Sequence, residues 1–122
     1  MDQDVVGRLM DDMDPSLVEF LRTKVNSFVK WDLIHFFHEH PDTTDTAEHI
    51  AQYARQDVGT MRVELADLVG QRILVQHRMG GLVTYALSKD PAIRDMIRRL
   101  VEASEDRRFR VKAIYHIIRN MQ

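Results

Sequence analysis

The sequence contains no cysteine, which excludes a disulfide framework, thiolate metal sites and a catalytic thiol. It also has no stretch approaching the ~18 apolar residues that a transmembrane helix needs. The first four residues, Met1 to Asp4, are acidic and lack an apolar run, so no secretory signal is expected there. Together these absences favour a cytoplasmic protein.

Proline and glycine are scarce, with three and five copies, and they mark where elements begin and turn. Asp14-Pro15 and Asp90-Pro91 each combine an N-cap residue with proline at the first helical position, which predicts two helix starts. The β-favouring runs 73–78 and 82–87 flank Gly80-Gly81. This pair suits a two-residue hairpin turn, because the central positions of such turns often need positive φ.

Apolar residues between these marks recur at helical spacing. They predict a helix over 15–40 that ends before Pro41, because the residue before a proline is pushed out of the α region. A break near Asn26-Ser27 is expected within this long helix. The final helix runs from Asp90-Pro91 to about Asn120, either continuously or as a pair broken near Ser104.

The middle of the chain predicts two short helices, at 46–55 and 60–71, joined by a tight turn. The first opens on a capping box, with Asp45 as the N-cap and Glu48 reaching back to it. Two short helices connected in this way form a helix-turn-helix unit. A hairpin follows them directly, at Gly80-Gly81.

The 122 residues are 44% apolar and 30% charged, which is typical of one globular domain. The net charge of −2 conceals a gradient. Residues 1–22 carry two basic and six acidic side chains, and residues 80–122 carry nine basic and five acidic ones. The basic half could face an anionic partner, or pair with the acidic half of the same or a second chain. An internally balanced, solvated surface is the other interpretation.

Residues 28–88 resemble the winged helix-turn-helix superfamily, as found in many bacterial transcription regulators. The resemblance rests on element order and apolar spacing rather than on a catalytic signature. Its segments are the first helix with Phe28-Val29-Lys30-Trp31-Asp32-Leu33-Ile34-His35-Phe36-Phe37, a short strand at Thr43-Thr44, the second helix 46–55, the recognition helix 60–71 with Leu65-Ala66-Asp67-Leu68-Val69, and the wing 73–87.

This resemblance implies a mainly α fold with a small β-hairpin. The winged helix-turn-helix core would occupy 28–88, after an acidic segment and helix at 1–27. A C-terminal helix or helix pair at 89–122 would serve as a dimerisation element. Arg72 departs from the pattern, since such regulators usually carry glycine there. A non-glycine residue in a left-handed turn costs roughly 1 kcal/mol, so we expect the turn to be built differently.

The resemblance also implies double-stranded DNA as the partner. The recognition helix would read base edges and the wing would approach phosphates. The candidate DNA-binding residues are Thr60, Arg62, Val63, Arg72, His77 and Arg78. Glu64 and Asp67 lie on the same helix and would repel phosphates. The alternative is therefore a winged-helix protein–protein interaction module that does not bind DNA.

A homodimer is implied by the same resemblance, and the final 30 residues carry more apolar positions than one face of a small domain needs. The proposed dimerisation positions follow a heptad-like spacing and are Ile93, Ile97, Leu100, Val111, Ile114 and Ile118. The other interpretation is that these residues pack against the helix around Val18 and Leu21 of the same chain.

Enzymatic function is not expected, because the sequence has no glycine-rich phosphate loop, no nucleophile elbow and no serine paired with a base. No cofactor is predicted. His35 and His38 share a helix face, yet no metal-ligand motif completes them, so a metal site is not predicted. Trp31, Phe28 and Tyr53 form either a ligand pocket or a buried aromatic cluster, of which the cluster is the commoner arrangement.

Overall fold

The computed structural model describes residues 13–121, so residues 1–12 of the predicted acidic N-terminal segment lie outside the described part. Six helices and three strands follow one another in this range. Their bounds are α1 Pro15–Lys24, α2 Phe28–Glu39, β1 Thr44–Asp45, α3 Ala47–Ala54, α4 Val58–Gly70, β2 Leu74–Met79, β3 Leu82–Leu87, α5 Pro91–Ala103 and α6 Arg107–Asn120.

Short polar side chains begin the helices, because the first backbone N–H groups of a helix have no partner within it. Asp14 accepts from the N–H of Ser16 at 2.9 Å, and Asp90 accepts from Ala92 at 2.9 Å, which confirms both predicted starts. Ser27 caps α2 and thereby confirms the break near Asn26-Ser27.

The predicted capping box is wrong by one residue. Thr46, not Asp45, caps α3 by accepting from the N–H of His49, because Asp45 is paired with Tyr85 in the sheet. Glu48 forms an ion pair with Arg62 instead of acting as the second half of the box.

The final helical region is broken, as one of the two interpretations expected. The side chain of Ser104 donates to the carbonyl of Leu100 at 2.6 Å, and Asp106 then caps a new helix by accepting from Arg108. α5 and α6 are therefore two helices that do not share one continuous face.

The three strands form one antiparallel sheet in the order β1-β3-β2. The hairpin register runs from Leu74 opposite Leu87 to Met79 opposite Leu82, which leaves Gly80-Gly81 as the turn. Gly80 has φ 59°, a left-handed conformation that glycine adopts without steric cost. The predicted wing is thus confirmed.

Two arginines also adopt left-handed conformations, one at each end of the segment that carries α4. Arg55 ends α3 with φ 56° and ψ 44°, and Arg72 follows α4 with φ 64°. The expectation that the turn at Arg72 would be built differently is wrong. The chain keeps the left-handed geometry with an arginine, at roughly 1 kcal/mol for each such residue.

The core lies where α2, α4, α5 and the base of the hairpin meet, and α1 packs against α5 and α6. Its largest fully buried side chains are Leu21, Leu33, Ile34, Phe37, Ile50, Met61, Leu65, Leu68, Ile73, Leu74, Ile97 and Leu100. The contact of α6 with α1 confirms in part the expectation that the C-terminal region packs against the helix around Val18 and Leu21, since Val111, Ile114 and Ile118 remain 42–43% exposed.

The predicted dimerisation stripe needs a correction at Ile97 and Leu100. These side chains are 1% and 0% exposed, so they belong to the core of the chain itself. Ile93 is half-buried beside them. The heptad spacing assumed one continuous helix, whereas the helix is interrupted between Ala103 and Arg107. None of the helices between residues 13 and 121 combines the length and apolar character of a bilayer span.

Candidate nucleic-acid interface

Helix α4 has one buried and one exposed face. Met61, Leu65 and Leu68 have 0% exposure and attach the helix to the core. Spacings of three and four residues place them on one stripe, as in an amphipathic helix. Arg62 and Val63 lie on the exposed side, together with Thr60 near the N-terminal end. The side that a partner could reach is therefore the side predicted to read DNA.

The two acidic residues of α4 are held by a buried lysine of α2. The Nζ of Lys30 lies 3.3 Å from Glu64 and 3.1 Å from Asp67, and the lysine side chain is only 3% exposed. Asn26 accepts a further hydrogen bond from this Nζ at 2.7 Å, and Ser27 donates to Glu64. A buried charge is expensive unless it is paired, so this network fixes the position of α4 against α2.

This pairing changes the predicted electrostatics of α4. The sequence suggested that Glu64 and Asp67 both oppose an approaching phosphate. The Glu64 side chain is 13% exposed and faces inward, while Asp67 remains 55% exposed at the surface. Glu64 is therefore compensated within the fold, and only Asp67 presents a negative charge to a partner of this helix face.

A second contact holds the C-terminal end of α4. The Nζ of Lys24, at the end of α1, donates to the Gln71 side-chain oxygen at 3.0 Å. Lys24 and Lys30 stand on either side of the connection between α1 and α2. These two lysines thus contact α4 near its middle and just after its end. The position of α4 is therefore linked to that of α1.

Arg62 on the exposed face of α4 forms an ion pair with Glu48 of α3. Both side chains are more than half exposed, so the pair is accessible to solvent and weak. Hydrogen bonds from the backbone N–H of Glu48 and from Arg62 lower the pKa of the Glu48 carboxyl. An anionic ligand at Arg62 would have to compete with this carboxylate.

A cleft of about 430 Å³ lies between the start of α3, α4 and the wing. Arg62 enters it from α4, and Gln76 and Arg78 enter it from β2. Gln76 and Arg78 share one face of the strand, since alternate residues point to the same side of a sheet. Two guanidinium groups and an amide from two different elements thus line one concave surface.

The six predicted DNA-binding residues do not all meet in this cleft. Arg62 and Arg78 do, while Thr60 and Val63 stand on the exposed face of α4 next to Arg62. Arg72 borders a separate depression with Val69 and Ser88, below the hairpin. His77 is exposed on the strand face opposite to Arg78.

Sequence reasoning missed Gln76 and Glu48 as residues of the cleft. The period-two alternation of a strand could have associated Gln76 with Arg78, because the two stand two residues apart. No local signal associates Glu48 with Arg62, since they belong to different helices. The wing tip was also missed: Met79 is 80% exposed and Leu82 54% exposed, so the tip is apolar.

The histidines form no metal site in the described part of the chain. No group of three or more His, Cys, Asp or Glu side chains within residues 13–121 is placed to hold a metal ion. The aromatic cluster expected around Trp31 is not buried, because Phe28 is 39% and Tyr53 67% exposed.

The element order and the three-stranded sheet define a winged helix-turn-helix fold. No family model matches the chain, and no curated protein matches its sequence. Among solved structures, the chain is similar to a possible transcriptional regulator from Methanosarcina mazei Go1, with a TM-score of 0.53 and 18% sequence identity. The similarity covers 75% of this chain and 79% of that chain. At this identity the likeness concerns the fold.

Proposed function

We propose that the chain is a non-catalytic, DNA-binding transcription regulator that acts as a homodimer. The observation that carries the proposal is the cleft in which Arg62 of α4 and Arg78 of the wing meet. A recognition helix and a wing that present cations to the same concave surface can contact adjacent parts of a duplex. The fold shared with the possible transcriptional regulator of Methanosarcina mazei supports the same role.

In this proposal the N-terminal half of α4 enters the major groove. Arg62 would leave Glu48 to bind a guanine or a phosphate, and Thr60 and Val63 would contact neighbouring bases. Arg78 would neutralise a phosphate from the wing, with Arg72 and His77 as peripheral phosphate contacts. Lys30 contributes indirectly, because it holds Glu64 away from the groove.

The homodimer is proposed to form through the outward face of α6. Val111, Ile114, Ile118 and Met121 recur every three or four residues and are 42%, 43%, 42% and 57% exposed. They lie opposite the face of α6 that includes the buried Ile117. A continuous apolar stripe on a surface helix is typical of a helix–helix interface, and a second copy of α6 would cover it. Two recognition helices about 34 Å apart would follow for a twofold regulator.

The DNA proposal is tested by fluorescence anisotropy with a labelled, nonspecific 30-base-pair duplex. We expect the affinity to fall steeply between about 50 and 200 mM salt, as counterion release requires. The double variant Arg62→Ala/Arg78→Ala should bind more weakly and reduce the slope of log K against log salt by about two.

The matched control is Arg22→Ala/Arg98→Ala, which also removes two arginines from exposed ion pairs, on α1 and α5. This control should keep the salt slope of the unmodified protein. An equal loss in both double variants would show that net charge, rather than the cleft, governs binding. Absence of binding at about 50 mM salt would contradict the DNA proposal.

A protein–protein interaction module is the second candidate, and the apolar wing tip favours it. Met79 and Leu82 expose large apolar side chains where a phosphate-binding wing would carry cations, and Val63 is 60% exposed on α4. Such exposed apolar groups are typical of protein contact surfaces. The same titration separates the two candidates, because this module would leave the duplex unbound at every salt concentration.

A further inference from the structure

A second cleft, of about 290 Å³, lies between α2 and α3 and shares no lining residue with the α4–wing cleft. Its floor is apolar, since Leu33 and Ile50 are each 1% exposed. Phe36 and Tyr53 border it, with their rings stacked at 5.8 Å between centroids and inclined by 25°. The cleft thus offers an apolar floor and an aromatic wall, with most of the Tyr53 side chain open to a ligand.

Three polar residues of the cleft, Asp32, His35 and Glu39, lie on one face of α2, at spacings of three and four residues. Both carboxylates are exposed and make no hydrogen bond or ion pair with the rest of residues 13–121. The Nδ1 of His35 lies 2.8 Å from the backbone oxygen of Trp31. Because a carbonyl only accepts, Nδ1 carries the proton, and Nε2 of the neutral ring keeps its lone pair.

The charge of the cleft selects for a cation. None of the lining residues is lysine or arginine, so no basic group within the cleft neutralises Asp32 and Glu39. A cation is attracted to the face of an aromatic ring within about 6 Å, and its N–H groups would find acceptors at the rim. The described residues hold no metal-ligating group of three, so the arrangement suits an organic cation.

We propose that the cleft between α2 and α3 binds a small organic cation of the alkylammonium or alkylguanidinium class. Its volume of about 290 Å³ lies just below the roughly 300–1,000 Å³ of ligand pockets, which restricts the ligand to a small molecule. Asp32 and Glu39 supply the charge, the aromatic pair supplies the apolar contact, and His35 accepts a hydrogen bond. The proposal does not depend on whether the α4–wing cleft binds DNA.

The proposal is tested by titrating the full chain with butylguanidinium and with butylurea, its neutral analogue of the same shape. Trp31 is the only tryptophan, and its ring centroid lies 4.7 Å from that of His35, so its fluorescence reports on the cleft. Two-dimensional NMR on the labelled protein locates the site directly. We expect saturable binding of butylguanidinium, with shifts at Trp31 and Tyr53, and no saturable binding of butylurea.

Neutral variants of the same shape test the charge. Asp32→Asn and Glu39→Gln should each weaken butylguanidinium binding about tenfold, because a hydrogen bond to a charged group is lost. Both side chains lack partners among the described residues, so neither variant should change the unfolding temperature. Asp42→Asn is the matched control, an exposed acid outside this cleft, and it should bind like the unmodified protein.

Three results would overturn the proposal. Equal binding of butylurea and butylguanidinium would show a purely apolar contact. Unchanged affinity in Asp32→Asn and Glu39→Gln would show that the carboxylates do not select the ligand. A short arginine-containing peptide that binds more than about tenfold tighter than butylguanidinium would assign the cleft to a protein side chain instead of a small molecule.

Discussion

Helices α4 and α6 are surface helices of nearly equal length, but their side chains serve different purposes. α4 contains one basic and two acidic residues, and each of them is engaged with a neighbouring helix. α6 contains five basic residues and no acidic one, with an apolar stripe on its outward side. The charges of α4 are therefore paired within the chain, although Arg62 and Asp67 stay more than half exposed, whereas the outward side of α6 is apolar.

The two helices thus present two kinds of surface to a partner. α4 is held in position by a buried polar network that leaves its outer face nearly neutral. A partner would therefore bind to a helix of fixed position rather than be attracted by a strong electrostatic field. α6 is held by apolar packing on one side and offers apolar area on the other. Substitutions in the network of Lys30 and Glu64 should therefore change the free energy of unfolding most. Substitutions in the apolar stripe of α6 should change the association of two chains most.

The largest effect is expected at Lys30. Lys30→Met would leave Glu64 buried without a counter-charge, and we expect the free energy of unfolding to fall by about 3 kcal/mol. Urea denaturation measures this change. Lys89→Met, at an exposed position, is the control and should stay within about 0.5 kcal/mol. A loss below about 1 kcal/mol at Lys30 would mean that solvent compensates Glu64.

The second largest effect is expected on association. Ile114→Asp/Ile118→Asp places two charges in the stripe of α6, where each buried aliphatic side chain contributes roughly 1.5–3 kcal/mol. Sedimentation equilibrium should show a change from twice the chain mass to the chain mass. Leu82→Asp, at a somewhat more exposed apolar position at the wing tip, should leave the mass unchanged. An unmodified protein that is already monomeric would contradict the dimer.

The third prediction concerns pH and the contact of α6 with α1. Burial, and the charges of Arg119 and Arg22, lower the pKa of His116 below its ordinary value of 6.5, and its Nε2 is buried without a partner among the described residues. The unfolded chain thus binds a proton that the folded chain excludes. The stability that comes from keeping His116 neutral in the folded chain is fully present above pH 6.5, and it is lost as the pH falls below this value.

His116→Leu isolates this effect from the other five histidines. The difference in unfolding temperature between this variant and the unmodified protein should grow in favour of the variant from pH 7.5 to about 5.5. His77→Gln, at an exposed position on the wing, is the matched control, because it removes a histidine without altering the surroundings of His116. Parallel pH profiles for His116→Leu and the unmodified protein would exclude His116 as the source.

The smallest effect is expected at the Arg62–Glu48 pair. Glu48→Gln frees Arg62 and removes a negative charge from the cleft, so duplex binding should become about two- to fivefold tighter, in line with the strength of exposed ion pairs. Glu102→Gln removes a comparable acid from an exposed pair with Arg98 and should have no effect. Weaker binding of Glu48→Gln would show that Glu48 itself contacts the partner.

Most of the fold could be predicted from local signals. These signals are the two Asp-Pro pairs, Ser27 and the Gly80-Gly81 turn. They act through hydrogen bonds or steric effects within a few residues, so the helix starts and the hairpin turn do not depend on the rest of the chain. The N-cap of α3 was misplaced because Asp45 and Thr46 are both good caps. Only the pairing of Asp45 with the distant Tyr85 decides between them.

The candidate site was less predictable, because its electrostatics depend on contacts between distant residues. Lys30 and Glu64 are separated by 34 residues, and no local pattern shows that the lysine neutralises the acid. The prediction that Ile97 and Leu100 belong to the dimer stripe was wrong for a related reason. Spacing gives the face of a helix, but only the direction of the helix tells which face meets the core.

The side chain of Asn120 connects the last turn of α6 to the end of α1. Its Nδ2 donates to the backbone oxygens of Leu21 and Val25 at 3.2 Å, across separations of 99 and 95 residues. The Leu21 carbonyl also accepts from the backbone N–H of Val25, whereas the Val25 carbonyl lies just beyond the last turn of α1, where carbonyls lack a partner within the helix. During synthesis on the ribosome, α1 emerges long before Asn120 does. The hydrogen bonds at the end of α1 can therefore form only after Asn120 has been synthesised, and a substitution of Asn120 would remove contacts from α1.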